Sequence, residues 1–191
     1  APTIAMQYCV DGSNWQTWGN TSTTGLTYTV QAYGIFAART TNGDVKSFCH
    51  SSNKAYYNRF AFSFSANLGG KLNQLKRGTS STYGAFRAIF ACTGVSNINN
   101  LVIEPACIAN HSLLSTFMSC NNLTSNVNIS LPSNNGTKAY QDMFQQCKNL
   151  TRTPLLPTSV THNSNSSLFE MFCNCSKLTA IYGREASRYP Q

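Results

Sequence analysis

The second half of the chain repeats one pattern of apolar and polar positions. An apolar residue, two spacers, a cysteine, two spacers and a second apolar residue recur four times, with the cysteines 28, 27 and 28 residues apart. Such a period is typical of a solenoid, in which each unit completes its core by packing on its neighbours. The positions predicted to form this repeated core are Ile89, Cys92, Val95, Phe117, Cys120, Leu123, Phe144, Cys147, Leu150, Phe172, Cys175 and Leu178.

Each repeat is predicted to contain a short helix and a short strand. The stretches before the cysteines, AFRAIF, LLSTFM, YQDMFQ and LFEMFC, carry apolar residues at helical spacing. Brief apolar runs that end in proline follow at 101–105, 129–132 and 154–157. Proline closes a strand because it cannot donate a hydrogen bond to a continuing ladder.

The first third of the chain has a different pattern. Residues 3–10 and 26–39 are rich in Thr, Tyr, Val and Ile, and FAFSF at 60–64 alternates large and small side chains. These runs predict a small β-sandwich-like unit over residues 1–68, with a connector at 69–84 and the repeats over 85–191. The predicted fold class is therefore mixed α/β, an N-terminal β unit followed by a solenoid of about four repeats.

The repeats resemble a known family. The F-x-x-C-x-x-L core with its proline-terminated strand, above all EPACIANHSLLSTFMSCNNLT at 104–124, is similar to the BspA-type leucine-rich repeat. The resemblance covers residues 86–182, and a Y-x-x-D-G-x-x-W stretch at 8–15 precedes it in similar order. It implies a leucine-rich-repeat solenoid that acts in adhesion or recognition, on an anaerobic bacterium or on the virion of a phage that infects one.

The chain departs from the family pattern at both ends of the repeats. The first copy has Ile89 in place of the aromatic residue and Val95 in place of leucine, as expected of a terminal repeat. The last copy leads into YGREASRYPQ, which has no apolar strand and no evident cap. A bare end would expose its core edge, so we expect further repeats or another chain at the C-terminal edge.

Composition fits a surface protein. Charged residues make up only 10% of the chain, and Asn, Ser and Thr take their place. No stretch approaches the length of a membrane span, and the first residues lack the regions of a signal peptide. We therefore expect an extracellular location, on a bacterial cell surface or a virion.

The net charge of +8 points to an anionic partner. Lys71, Lys76, Arg77 and Arg87 form a local basic stretch, but the other basic residues are spread along the chain. This distribution favours attraction to an acidic polysaccharide, envelope or protein over nucleic-acid binding, which needs a continuous basic surface or a known module.

The cysteines at one phase of the repeat are expected to stack as buried thiols, because parallel side chains rarely meet the dihedral requirement of a disulfide. A Cys9–Cys49 bridge is an alternative for two of the others. Zinc binding by Cys147, Cys173 and Cys175 is disfavoured, because structural zinc sites show a second matched ligand pair. The sequence thus predicts no metal and no cofactor.

No catalytic site is predicted. The three histidines and six acidic residues do not cluster in sequence. Cys49 and His50 are adjacent, so in a strand they would point to opposite faces and could not form a nucleophile and base pair. Asp142 and Glu170 lie at nearby phases of adjacent repeats and could face each other, but are interpreted as solvated carboxylates at helix starts.

Candidate ligand-binding residues are exposed aromatics beside polar groups, because a sugar face stacks on a ring while its hydroxyls find hydrogen-bonding partners. These residues are Trp18, Tyr56, Tyr57 and Trp15, although Trp15 is equally suited to a core position. The predicted function is a non-enzymatic surface recognition or adhesion module for a glycan or protein. The alternative is a virion component, a decoration or fibre protein that acts in assembly or host attachment.

Overall fold

The computed structural model describes residues 6–11, 13–18, 29, 34–41, 60–63, 65–75, 84–91, 94–124, 129–133, 136–157 and 167–182. Three strands near the N-terminus form an antiparallel sheet in the order β2-β1-β3. They are β1 (Met6–Cys9), β2 (Gln16–Trp18) and β3 (Ala37–Thr40). The connection from β1 to β2 is tightened by Asp11, whose Oδ1 accepts hydrogen bonds from the backbone N–H groups of Ser13 and Asn14.

The remaining strands pair in parallel. Strand β4 (Ala66–Lys71) pairs with β5 (Val95–Val102), and β6 (Arg152–Leu155) pairs with β7 (Ala180–Tyr182). A single parallel bridge joins Ser130 to Leu155. Short 3-10 helices at Leu72–Leu75 and Pro105–Cys107 follow β4 and β5.

Four stretches of consecutive turns lie before the repeated corners of the chain. We name them the first (84–91), second (110–119), third (137–146) and fourth (167–174) turn segments. In the second segment, the N–H groups of Leu113, Ser115 and Phe117 donate to carbonyls of the third segment at 2.9 Å. The N–H groups of the residues between them donate three residues back within their own segment, for example Thr116 to the Leu113 carbonyl at 3.2 Å.

Left-handed residues recur every four positions along these segments. In the second segment they are His111, Ser115 and Ser119, with φ of 58°, 57° and 61°. The left-handed positions of successive segments align in columns, and the central column contains Ala88, Ser115, Asp142 and Glu170. A left-handed φ costs a non-glycine residue about 1–2 kcal/mol, so the contacts between segments must hold these turns in place.

The core lies between the turn segments and the parallel strands. Five phenylalanine rings stack through it, from Phe60 to Phe90, Phe117, Phe144 and Phe172, with centroid separations of 5.9, 5.6, 5.4 and 5.7 Å. Phe117 and Phe144 have no exposed surface. Offset stacking of rings adds to the stabilisation from burial, so this column is a main source of cohesion between segments.

The predicted fold class is wrong. Within the described residues no helix reaches seven residues, and the strands are few, short and divided among three small sheets. The mixed α/β class, the leucine-rich-repeat solenoid of about four repeats and the N-terminal β-sandwich-like unit are therefore not the observed architecture. The described part of FAFSF, 60–63, is not a strand. The domain boundaries at residues 68 and 84 stay a prediction.

The predicted helices fail for a physical reason. An α-helix needs each N–H to bond the carbonyl four residues back, whereas here alternate N–H groups bond the next segment. A chain of four-residue turns places side chains on one face with a period close to the helical one. The apolar spacing of AFRAIF, LLSTFM, YQDMFQ and LFEMFC therefore suits either structure.

The structure also shifts the first repeat by one residue. Phe90, rather than Ile89, stacks on Phe117 and donates its N–H to the Thr116 carbonyl at 3.1 Å. Ile89 and Val95 are fully buried beside this column, and Cys92 lies outside the described residues. The other repeat positions are buried or half-buried members of the core or pack against it: Phe117, Cys120, Leu123, Phe144, Cys147, Leu150, Phe172, Cys175 and Leu178.

The ring column predicts a large loss of stability when a central ring is removed. Phe117→Ala should lower the free energy of unfolding by about 3–5 kcal/mol, because it deletes a buried ring and leaves a cavity. Phe169→Ala is the control, since Phe169 is 53% exposed and should change stability by about 0.5 kcal/mol or less. Urea unfolding of both variants measures the difference, and equal losses would contradict the role of the column.

The left-handed turns predict an unusual response to glycine. Ala88 has a φ of 54°, so Ala88→Gly should leave the free energy of unfolding unchanged or raise it by up to about 1 kcal/mol. Ala109, also half-buried, has no positive φ, and Ala109→Gly should lower stability by about 0.5–1 kcal/mol. Thermal unfolding compares the two, and a larger loss at Ala88 would refute the left-handed assignment.

Candidate functional site

Two rows of polar side chains line one side of the stacked turn segments. The first row contains the residues before the second, third and fourth repeat cysteines, Ser119, Gln146 and Asn174, all with a φ of 61°. The Ser119 hydroxyl donates to Gln146 Oε1 at 3.1 Å, which fixes the amide of the middle member. These three residues share one backbone conformation at the same position of successive segments, so their side chains stand at equivalent places.

The second row contains the residues that follow the cysteines. The Lys148 N–H donates to Asn121 Oδ1 at 3.2 Å, and Asn149 Nδ2 donates to the Asn121 carbonyl at 2.9 Å. The Ser176 hydroxyl lies 3.5 Å from the Lys148 carbonyl. Side chains that bond the neighbouring segment's backbone hold the row in register.

A shallow depression, open to solvent, lies between the two rows. It has a volume of about 440 Å³ and is lined by Gln146, Lys148, Asn174 and Ser176. Its walls offer two amides, a hydroxyl and an ammonium group, which together donate and accept hydrogen bonds. We name this surface the polar groove. The sequence analysis missed all four residues, although the polar residues on both sides of Cys120, Cys147 and Cys175 are a signal that could have located them.

The carboxylates of Asp142 and Glu170 lie one segment apart in the central left-handed column. Asp142 Oδ1 is buried and has no hydrogen-bond partner among the described residues, while Oδ2 accepts a bond from Gln141 Nε2 at 3.2 Å. Glu170 is exposed and accepts a bond from Gln145 Nε2 at 3.1 Å. No helix begins at either residue, so the interpretation as helix-start carboxylates is wrong.

The surroundings of Asp142 raise its pKa. Burial is the largest cause, and the negative charge of Glu170 adds to it, while Gln141, Lys138 and Arg87 act in the opposite direction. Burial also lowers the pKa of the nearby His111, to which the positive charges of Lys138 and Arg87 contribute. The two shifts favour the neutral forms of Asp142 and His111.

The described cysteines are thiols, including Cys9, for which a bridge to Cys49 was an alternative. The thiols of Cys120, Cys147 and Cys175 each donate at 3.1 Å to a phenylalanine carbonyl of the preceding segment. Burial raises the pKa of Cys175 to about 11. Within the described ranges, no three residues among His, Cys, Asp and Glu group as metal ligands, so Cys147, Cys173 and Cys175 are not brought together as a zinc site.

Among the predicted ligand-binding aromatics, Trp15 is not part of the lining of the polar groove. Trp15 is half-buried, and the Arg39 guanidinium carbon lies 3.9 Å from its ring centroid, so one ring face is already covered. Trp18 belongs to β2, where it pairs with Met6. Tyr56 and Tyr57 lie outside the described residues.

The basic stretch is only partly described. Lys71 forms an ion pair with Glu104 at 3.3 Å, while Lys76 and Arg77 lie outside the described residues. The described segments include no helix with the length and apolar character needed to cross a bilayer.

No protein-family model, curated protein or solved structure matches this chain. The resemblance to BspA-type repeats therefore stays a prediction from the sequence motifs. The function has to be argued from the chain's own groups.

The raised pKa of Asp142 predicts that its charge destabilises the fold at neutral pH. The folded state binds this proton more tightly than the unfolded state, whose pKa is near 3.8. The proton's contribution is therefore full below that value and is lost as the pH rises through the raised folded pKa. Asp142→Asn should raise the free energy of unfolding at pH 7 by less than about 1 kcal/mol after solvent screening. The melting temperature should rise accordingly, and the gain should vanish toward pH 3.

Asp11→Asn is the opposite control. Backbone hydrogen bonds from Asn14 and Ser13 hold the pKa of Asp11 well below its usual range. Its stabilising contribution is thus present above the unfolded pKa and is lost as the pH falls. Asp11→Asn should lower the melting temperature at pH 7, with a difference that shrinks on acidification. If Asp142→Asn followed the same course as Asp11→Asn, the buried-carboxylate account would be wrong.

Proposed function

We infer that this chain is a non-enzymatic recognition module of a cell or virion surface, and that it binds a glycan through the polar groove. The observation that carries this proposal is the groove itself, lined by Gln146, Lys148, Asn174 and Ser176. Amide and hydroxyl groups form hydrogen bonds with sugar hydroxyls in both directions, as donors and as acceptors.

Hydrogen bonds hold the lining residues of the polar groove in place, which suits recognition of a ligand. Gln146 and Asn174 are the last residues of turn segments that the backbone ladder joins, and the side chains of Ser119 and Asn121 bond Gln146 and Lys148. Groups that are held in place before binding lose little conformational entropy when the ligand arrives. Lys148 adds a single positive charge, which favours glycans with carboxylate groups.

A second candidate function, a structural component of a virion, is supported by a different observation. The N–H groups of Glu170, Phe172 and Asn174 have no acceptor among the described residues, and unpaired backbone donors at an edge can pair with another chain. Mass measurement in solution separates the two candidates, because the recognition module acts as a monomer and the virion component associates.

Glycan binding can be tested with the full chain on an array of neutral and acidic glycans. For a glycan that binds, Asn174→Gly should weaken the affinity about tenfold, because one or two hydrogen bonds are lost. Glycine suits the left-handed φ at this position, so the backbone should be retained.

Glu170→Gly is the matched control, since Glu170 also has a left-handed φ and lies outside the groove lining. It should leave the affinity unchanged. Absence of any binding glycan, or equal losses in the two variants, would rule out the polar groove as a glycan site.

A further inference from the structure

Two buried oxygen atoms of the third turn segment lack a hydrogen-bond donor. They are Asp142 Oδ1 and Gln141 Oε1, and neither accepts a bond from any residue in the described part of the chain. Because both atoms are buried, solvent does not supply the missing donors. A buried acceptor without a donor has given up its hydrogen bond to water for nothing, and native structures leave few such atoms. Two of them on adjacent residues require an explanation.

The two side chains are already joined by one hydrogen bond. Gln141 Nε2 donates to Asp142 Oδ2 at 3.2 Å. A protonated carboxyl and a primary amide can pair through two parallel bonds, in which the amide N–H binds one acid oxygen and the acid O–H binds the amide oxygen. The first of these bonds is present, and Oδ1 and Oε1 are the atoms that remain for the second. A proton on Oδ1 would turn two unsatisfied acceptors into a donor and its acceptor.

The charged and titratable groups around Asp142 lie on all four turn segments. Glu170 on the fourth segment opposes ionisation of Asp142, although burial opposes it more strongly, so that the pKa of Asp142 is raised. Lys138 on the third segment and Arg87 on the first act in the opposite direction. The titratable residue of the second segment is His111, and its neutral form is favoured because its own pKa is lowered.

Asp142 is also a member of the ladder between the third and fourth segments. Its N–H donates to the Phe169 carbonyl at 3.1 Å, next to the bond from Phe144 to the Met171 carbonyl at 3.0 Å. An ionised Asp142 would place a buried charge without a donor at Oδ1 and would repel Glu170 across this ladder. Loss of the proton therefore weakens the docking of the fourth segment, which carries part of the polar groove.

We propose that Asp142 holds a proton in the folded chain, donated from Oδ1 to Gln141 Oε1, and that this proton is a pH-sensitive clamp between the third and fourth turn segments. The segments are docked most tightly while the proton is bound. The docked state binds the proton more tightly than a state in which the fourth segment has opened, so docking weakens as the pH rises through the folded pKa of Asp142. The clamp does not depend on what the polar groove binds.

The pairing with Gln141 is tested by the sign of a pKa change. Carbon-13 NMR of the side-chain carboxyl measures the pKa of Asp142 in the full chain. Gln141→Met removes the acceptor of the proton and should lower this pKa by about 0.5 or more, because a hydrogen bond to the neutral form raises it. If Gln141 only donated to a charged carboxylate, its removal would raise the pKa instead.

Gln145→Met is the matched control. Gln145 is also half-buried and lies on the same segment, but its Nε2 bonds Glu170. The control should leave the pKa of Asp142 unchanged to within about 0.3. A rise or no change in the Gln141→Met variant, or an equal fall in the control, would overturn the proposed pairing.

The clamp itself is tested by amide hydrogen exchange, which needs no variant that might fail to fold. After correction for intrinsic exchange rates, the opening constants of the Asp142 and Phe144 amides should rise when the pH passes the pKa of Asp142. The rise should be about tenfold for each unit by which that pKa exceeds its ordinary value of 3.8.

Asp142→Asn replaces the proton with a permanent donor, because its Nδ2 can bind Gln141 Oε1 at any pH. The opening constants of this variant should stay low on both sides of the titration. Equal opening constants in the unmutated chain at the two pH values, or a rise in Asp142→Asn as large as in the unmutated chain, would contradict the clamp.

Discussion

The hydrogen-bond ladder between turn segments is the constraint on which the rest of this structure depends. Alternate N–H groups of one segment reach the carbonyls of the next, and the N–H groups between them close turns within the segment. The left-handed residues at every fourth position have an unfavourable backbone conformation. The free energy of that strain is offset because neighbouring segments share the hydrogen-bond ladder. A single segment would not hold this conformation by itself.

The ladder also determines where function can reside. It brings equivalent positions of successive repeats side by side, so polar residues on either side of the cysteines become the two rows of the polar groove. It buries Asp142 and places it against Glu170, and burial first and the Glu170 charge second raise the pKa of Asp142. Its direction also leaves the N–H groups of Glu170, Phe172 and Asn174 without an acceptor among the described residues.

The sequence revealed the period of the repeats but not their conformation. The cysteine spacing located Phe117, Phe144 and Phe172 at one phase, and these rings do stack. The helices were wrong because four-residue turns and an α-helix place apolar residues at nearly the same spacing. The two structures differ in which carbonyl accepts the hydrogen bond of each N–H group. The spacing of apolar side chains does not indicate that acceptor.

The candidate site was harder to predict for a related reason. The search for exposed aromatics pointed to Trp18 in β2 and to Trp15, whose ring is partly covered by Arg39. It also pointed to Tyr56 and Tyr57, which lie outside the described residues. The groove residues are ordinary polar side chains, and they form a common surface only when the repeats stack side by side. Alignment of the first repeat on Cys92 placed Ile89 at the aromatic position. The ring that stacks on Phe117 belongs to Phe90, one residue later.

The most direct test of the ladder is nuclear magnetic resonance detection of couplings across hydrogen bonds, which link a donor nitrogen to its acceptor carbonyl carbon. The structure predicts a coupling from the Phe117 nitrogen to the Met143 carbonyl carbon and from Ser115 to Gln141. Couplings from Phe117 to Leu113 and from Ser119 to Ser115, the pairs of an α-helix, would contradict the account.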